Sequence, residues 1–204
     1  MNASILLGCA DFYRKALWQN MDCYVEVWLE KDALTGVVYP ITSVYDVPLM
    51  VARGYASLSF LYGAADYIKR LSVPTYIYYL GDYDPSGVDA SRFIDETLRE
   101  LAPEAEIHFE RVAVTPAQII EWDLPSRPNK KGDKRTSAFE GVASVELDAI
   151  EPNELRAIVL ECIERHMPEA TLEVLKAAEE SERDILQEFI GQAFNPDEYS
   201  GHVT

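Results

Sequence analysis

The sequence predicts an α/β fold in which a parallel sheet of about four strands is flanked by helices, with a helical extension at the C-terminus. Short apolar runs with aromatic and β-branched residues alternate with runs of helical periodicity along residues 23–122. The clearest strand is the run Thr75–Leu80, which leads through a turn at Gly81–Gly87 into a helical run that ends near Leu101. Because strands that alternate with helices usually pair in parallel, this order predicts a sheet covered by helices.

The other elements continue the alternation. Strands are predicted over residues 23–29, 46–52, 75–80 and 106–114, and helices over 32–38, 58–71, 88–101 and 115–122. Thr115 and Pro116 form an N-cap followed by proline at the first helical position. A further strand is expected over 142–147, and amphipathic helices over 151–166 and 171–190. We therefore divide the chain into an N-terminal helical segment (1–22), an α/β domain (23–150) and a C-terminal helical extension (151–204).

The composition describes a chain that can bury a sizeable core. It has 204 residues, 48% of them hydrophobic, and no apolar run reaches the length that a membrane-spanning helix needs. The N-terminus lacks a basic start followed by an apolar core and a cleavage site, so we expect a cytoplasmic protein without a membrane partner. The 3 cysteines lie far apart without Cys-x-x-Cys spacing, so neither a disulfide framework nor a zinc site is predicted.

The charge is strongly negative and unevenly distributed. The formal net charge is −17, and the residues from Glu146 to the end include 15 acidic and 4 basic side chains. This argues against a surface that binds nucleic acid everywhere, because affinity for a polyanion depends on Lys and Arg. One basic cluster lies among Pro, Gly and Asn in a predicted mobile loop and consists of Arg127, Lys130, Lys131, Lys134 and Arg135. The cluster is either a solvated loop or an arm that contacts DNA phosphates.

Acidic residues follow two of the predicted strands. Glu30 comes directly after the strand over 23–29, and Asp82 and Asp84 follow the strand over 75–80. Because ligands of open α/β sheets bind outside the carboxyl ends of the strands, the three carboxylates are expected to converge on one rim. Mg²⁺ prefers such oxygen ligands together with water and phosphate. Asp84 is also explained as an N-cap before Pro85, but this explains neither Asp82 nor Glu30.

Taken together, these motifs resemble the Toprim domain of topoisomerases, bacterial primases and certain nucleases, which has a Rossmann-like fold. The closer resemblance is to the A subunit of topoisomerase VI, a type IIB topoisomerase, and its meiotic double-strand-break relatives. It covers residues 22–165 and is carried by Glu30-Lys31-Asp32-Ala33, Arg53-Gly54-Tyr55, Asp82-Tyr83-Asp84-Pro85-Ser86-Gly87 and Val145-Glu146-Leu147-Asp148-Ala149-Ile150.

The resemblance implies Mg²⁺-dependent cleavage of DNA, with Mn²⁺ as a substitute. It implies that Glu30 acts as an acid–base group or metal ligand and that Asp82 and Asp84 bind the metal. Lys31 and Arg53 are expected at the same rim, where they would contact DNA together with the basic cluster. A homodimer is one assembly that we consider.

The sequence departs from this family in one respect. The family's DNA-attacking tyrosine lies in a winged-helix-like domain well before the glutamate, whereas only 29 residues precede Glu30. Tyr13 and Tyr24 are the tyrosines of that segment, and both are interpreted as core residues. The nucleophile is then water, or a tyrosine from another chain or a longer form of this one, with an ATPase subunit as a further partner. The alternative is a non-catalytic DNA-associated or dimerisation module that retains the Toprim fold.

Two other protein classes place an aspartate at the end of a strand. Phosphatases of the haloacid dehalogenase type carry it after the first core strand, whereas Asp82 follows the third predicted strand. Receiver domains need an acidic pair after the first strand and a lysine after the fifth, which the Glu30-Lys31-Asp32 segment fits only loosely. Both classes are therefore weaker hypotheses than the Toprim domain.

Overall fold

A computed structural model describes residues 13–52, 56–128 and 143–194. The chain divides into two compact units: an α/β unit, Asn20–His166, and a terminal unit that combines Met1–Gln19 with Met167–Thr204. The α/β unit therefore continues beyond the predicted boundary at residue 150. The helix predicted to open the C-terminal extension belongs to this unit.

The centre of the α/β unit is a four-stranded parallel sheet. Its strands, in the spatial order β2-β1-β3-β4, are β1 (Tyr24–Leu29), β2 (Leu49–Val51), β3 (Thr75–Leu80) and β4 (Ile107–Ala113). β1 and β3 pair along their full length, from Tyr24 beside Thr75 to Leu29 beside Leu80. The predicted α/β class and the parallel sheet of four strands are confirmed, and the arrangement is Rossmann-like.

Helices connect the strands as the alternation predicts. They are α1 (Thr35–Thr42), α2 (Leu58–Ile68), α3 (Pro85–Leu101), α4 (Pro116–Glu121) and α5 (Pro152–Glu164). Local capping fixes where several of them begin. Ser57 Oγ accepts a hydrogen bond from the Phe60 backbone N–H at the start of α2, and Thr115 forms a capping box with Gln118 at the start of α4.

The core lies between the sheet and the helices. On one face, Trp28 and Tyr79 pack against residues of α2 and α3 such as Leu61 and Ile94. Strand residues that alternate with these point to the opposite face, where Val25, Val27 and Leu29 are fully buried. Burial on both faces explains why β1 and β3 are near-continuous apolar runs rather than alternating ones.

The strand predicted over 142–147 does not join the main sheet. Ala143–Ser144 (β6) instead pairs antiparallel with Arg127–Pro128 (β5). The next residue, Val145, exchanges two backbone hydrogen bonds with Tyr83, at 2.8 and 2.9 Å. This segment is therefore attached to the turn that follows β3.

The terminal unit is built on α6 (Glu169–Phe194). Residues 13–19 are an irregular stretch and a turn rather than the predicted helix. Acidic side chains of α6 accept hydrogen bonds from this stretch. The Lys15 backbone N–H donates to Glu179 at 2.8 Å, and the Tyr13 hydroxyl donates to Glu182 at 2.6 Å. Among the described residues, no helix is both long enough and apolar enough to cross a membrane.

Candidate functional site

The candidate site lies at the carboxyl edge of the sheet, between β1 and β3. The chain continues from β1 to β2 on one side and from β3 to β4 on the other side. The two connections therefore diverge and leave a crevice, which is the switch point where open α/β sheets bind their ligands. Glu30 leaves β1 at this crevice, and Gly81 and Asp82 leave β3 beside it.

Glu30 contacts the turn that follows β3. Its Oε2 accepts hydrogen bonds from the Asp82 backbone N–H at 3.0 Å and from the Tyr79 hydroxyl at 3.3 Å. Burial and the nearby carboxylate of Asp82 raise the pKa of Glu30, although these hydrogen bonds and the charge of Arg111 act in the opposite direction. A carboxylate with a raised pKa beside a second carboxylate is suited to proton exchange and to cation binding.

Two glycines allow this close approach. A β-carbon at position 87 would clash with the backbone carbonyl of Asp82, and one at position 81 would clash with the side chains of Glu30 and Tyr79. Backbone atoms move less easily than the ends of side chains, so glycine is needed more strictly at position 87 than at position 81. The predicted turn therefore needs glycine for space.

Asp82 joins the turn to the segment after β6. Its Oδ1 accepts a hydrogen bond from the Leu147 backbone N–H at 2.7 Å and lies 3.1 Å from the ammonium nitrogen of Lys31. Together with the backbone pairing of Tyr83 and Val145, this contact fixes the segment across the turn. The Asp82 carboxylate thus already has a backbone donor and a lysine as partners at the crevice.

Asp84 caps the helix that follows. Its Oδ1 accepts a hydrogen bond from the Gly87 backbone N–H at 2.7 Å, and Pro85 occupies the first position of α3. The N-cap interpretation of Asp84 is confirmed. Its role as a metal ligand stays a prediction.

Arg111 supports the whole turn, although no sequence pattern singles it out. Its guanidinium donates to the backbone carbonyls of Gly81 at 2.8 Å, Asp82 at 3.1 Å and Gly87 at 2.7 Å, and it stacks over the Tyr79 ring. Burial lowers the pKa of Arg111, but a guanidinium remains charged at neutral pH. The one sequence feature that could have indicated this role is a charged residue at an inward-facing position of β4, which pairs with Tyr79 of β3.

Lys31 and Arg127 bring positive charge to the same edge. Lys31 Nζ lies 2.6 Å from Asp148 Oδ1 and 3.3 Å from Glu146 Oε2, and Arg127 donates to the other oxygen of Glu146 at 2.6 Å. Partial burial opposes the charge of Lys31, but its carboxylate partners outweigh this effect and raise the pKa of Lys31. A cavity of about 300 Å³ lies beside these residues and is lined by both cations, Asp82, Asp84 and Glu146.

The structure brings part of the predicted site together. Glu30, Asp82, Asp84 and Lys31 surround the turn after β3, and Arg127 lines the adjacent cavity. Within residues 13–52, 56–128 and 143–194, no group of three or more His, Cys, Asp or Glu side chains is arranged to hold a metal ion. The other predicted DNA contacts lie outside the described residues: Arg53, Lys130, Lys131, Lys134 and Arg135.

The two tyrosines considered as nucleophiles both have a raised pKa. Tyr24 begins β1, so it lies at the opposite edge of the sheet from Glu30, and burial raises its pKa. Tyr13 belongs to the terminal unit, where its hydrogen bond to Glu182 raises its pKa. A raised pKa reduces the fraction of the nucleophilic phenolate.

Comparison with known proteins does not assign the chain. No protein-family model matches it, and no curated protein matches its sequence significantly. The resemblance to the Toprim domain therefore stays a prediction from the sequence motifs.

Proposed function

We propose that this protein is a Toprim-type component, similar to the A subunit of topoisomerase VI, that takes part in Mg²⁺-dependent cleavage or strand transfer of the DNA backbone. The observation that carries the proposal is the contact between two acids from separate strands at the switch point. The Asp82 backbone N–H donates to Glu30 Oε2 at 3.0 Å, and the Asp82 residue also lines a cavity whose walls include Lys31 and Arg127. An acidic pair next to Lys and Arg fits a metal ion that works on a phosphodiester.

The donor set fits Mg²⁺. Contacts with the described residues use Oε2 of Glu30, Oδ1 of Asp82 and Oδ1 of Asp84, so each carboxylate has a second oxygen to offer. Glu30 and Asp82 would hold the ion, and water and a DNA phosphate would complete its shell. Asp84 would assist from its capping position. A bound Mg²⁺, or Mn²⁺ in its place, polarises the phosphodiester and neutralises charge that develops on its oxygens.

The remaining residues supply proton transfer and DNA contact in this proposal. If Glu30 does not bind the ion, it exchanges a proton with the nucleophile or the leaving group instead, a role that its raised pKa favours. Lys31 and Arg127 line the cavity and would contact phosphate there. The five predicted DNA contacts outside the described residues belong to the proposal through the sequence alone. The nucleophile is water or a tyrosine of another chain. Partnership with DNA, a second copy or an ATPase subunit, and a cytoplasmic location, belong to the same proposal.

A second candidate is a non-catalytic DNA-associated or dimerisation module. Its support is the engagement of both aspartates: Asp82 binds Lys31 and the Leu147 backbone, and Asp84 caps α3. In such a module, the carboxylates would hold the turn together and no metal would be required. The two candidates differ in whether these acids bind a divalent ion and whether DNA is cut.

Calorimetric titration with Mn²⁺ and Mg²⁺ tests the metal site. The variants are Glu30→Gln, Asp82→Asn and Asp84→Asn, and the last retains an N-cap residue. The matched control is Glu26→Gln, because Glu26 is a carboxylate on the same strand whose contacts are with Trp28 and Tyr24. We expect the Glu30 and Asp82 variants to weaken binding about 10- to 100-fold. Glu26→Gln should bind like the wild type.

A DNA-nicking assay then separates the two candidates. It uses supercoiled plasmid with Mn²⁺, with and without a chain that carries a winged-helix tyrosine. Metal-dependent nicking that is lost in Asp82→Asn supports the catalytic proposal. Metal binding without nicking under both conditions favours the non-catalytic module, and wild-type affinity in all three acid variants rejects the metal site.

A further inference from the structure

Lys31 holds an ammonium group at the centre of three carboxylates. Its Nζ lies 2.6 Å from Asp148, 3.1 Å from Asp82 and 3.3 Å from Glu146. The side chains of Lys31 and Asp82 are 24% and 18% exposed, so water screens this ion pair less than a pair on the open surface. Lys31 therefore places a positive charge directly beside the Asp82 carboxylate.

The position of the Lys31 ammonium group disfavours a divalent ion bound to the Asp82 carboxylate. Asp82 Oδ1 already accepts the Leu147 backbone N–H at 2.7 Å and faces Lys31 at 3.1 Å. An ion bound to Asp82 would stand a few ångströms from the ammonium group, where like charges repel strongly in a partly buried setting. Either the lysine moves, or the ion binds more weakly.

Lys31 has two carboxylate partners besides Asp82. Glu146 and Asp148 come from the segment after β6 and both reach the ammonium group, and Asp148 is exposed. The cavity of about 300 Å³ is lined by Lys31, Asp82 and Glu146 among others. An ammonium group that leaves Asp82 can thus stay with the other two carboxylates.

We propose that Lys31 is a tethered cation that competes with the divalent metal for Asp82: it holds this carboxylate when metal is absent and must release it when metal binds. Lys31 thereby lowers the metal affinity of the site. It is a positioning residue for Asp82 as well as a phosphate contact. This inference rests on the proposed function, because it takes Asp82 as a metal ligand.

The test is calorimetric titration of the full chain with Mn²⁺. Lys31→Met removes the competing charge, and we expect it to tighten Mn²⁺ binding about tenfold, as expected for a partly buried pair. Lys31→Arg keeps the charge and should bind like the wild type. The gain should disappear in the Lys31→Met, Asp82→Asn double variant, because it acts through Asp82.

A control variant tests whether the loss of one positive charge anywhere on the protein is enough to change Mn²⁺ affinity, and thermal unfolding tests whether each variant folds. Lys69→Met removes the same charge from the C-cap of α2, where Lys69 lies over the Tyr62 ring, and should leave Mn²⁺ affinity unchanged. Thermal unfolding checks that each variant folds, and Mn²⁺ should raise the Tm of Lys31→Met more than that of the wild type. Lys31→Gln should show the same direction and replaces Lys31→Met where the latter does not fold.

The outcomes distinguish this inference from the proposed function. The competition model is overturned if the wild type binds Mn²⁺ through Asp82 but Lys31→Met binds no more tightly. It is also overturned if the gain persists without the Asp82 charge, or if Lys69→Met gives the same gain. If Asp82→Asn weakens binding in neither background, Asp82 is not a metal ligand and the competition model is overturned, while the Glu30 and Asp84 variants still decide whether the metal site exists. Binding that appears only in Lys31→Met supports both proposals.

Discussion

Two glutamates of β1 differ sharply in their surroundings. Glu26, in the middle of the strand, is 3% exposed and accepts hydrogen bonds from Trp28 Nε1 at 2.7 Å and the Tyr24 hydroxyl at 3.1 Å. Both donors are neutral and belong to the same strand. Glu30, directly after the strand, instead contacts residues of β3 and its turn, with Asp82 and Arg111 close enough to affect its pKa.

The difference follows from where the strand ends. In the middle of a sheet, neighbouring strands already use the backbone donors, so a buried carboxylate is left with side-chain partners. At the carboxyl end, the chain turns away and exposes backbone N–H groups such as that of Asp82. The same residue type is therefore a structural group at position 26 and a candidate functional group at position 30.

Removing the Arg111 guanidinium should destabilise the turn at the carboxyl end of β3 and leave the contacts of Glu26 in the middle of β1 unchanged. Arg111→Met leaves the carbonyls of Gly81, Asp82 and Gly87 without their partly buried donor. We expect the free energy of unfolding to fall by about 3 kcal/mol, and urea denaturation measures it. The matched control is Arg99→Met, since Arg99 is exposed and pairs with Asp95 within α3. A loss no larger than that of the control would contradict the supporting role of Arg111.

Adding one methyl group at the turn should have a smaller effect. Gly87→Ala places a β-carbon against the Asp82 carbonyl, so the turn must shift, and we expect a loss of about 2 kcal/mol in urea denaturation. Gly63→Ala is the matched control because Gly63 lies within α2 and a β-carbon there meets no atom within 4 Å. It should raise stability by about 0.5–1 kcal/mol. Equal effects of both substitutions would mean that the approach of Gly87 to Asp82 is not tight.

The sequence was sufficient for the sheet and for part of the site. Apolar runs identify β1 and β3 because both faces are buried, and the acids that follow them reach one crevice because the strands are parallel neighbours. The strand predicted over 142–147 is shorter than expected and pairs outside the main sheet, which the sequence does not indicate because a short apolar run does not specify its pairing partner. The role of Arg111 could not be predicted, since it depends on carbonyls that come together only when β3, β4 and α3 are packed.

The smallest expected effect concerns Glu26 and depends on pH. Burial is the main cause that raises the pKa of Glu26, with hydrogen bonds from Trp28 and Tyr24 acting against it. Because the folded-state pKa is raised, the protonated form is favoured by folding: this contribution to stability is present below the unfolded-state pKa and is lost as the pH rises through the folded-state pKa.

Glu26→Gln resembles the protonated form and does not titrate, so the variant should match the wild type in acid and exceed its stability at pH 8 by about 1 kcal/mol. Urea denaturation from acid to pH 8 measures this difference, and Glu100→Gln, on the exposed end of α3, should show no such trend. A Glu26→Gln variant that is less stable than the wild type at pH 8 would mean that the hydrogen bonds from Trp28 and Tyr24 outweigh the cost of burying the charge. Glu26 and Glu30 would then both be held as carboxylates by their donors, and the contrast between them would rest on access to the crevice alone.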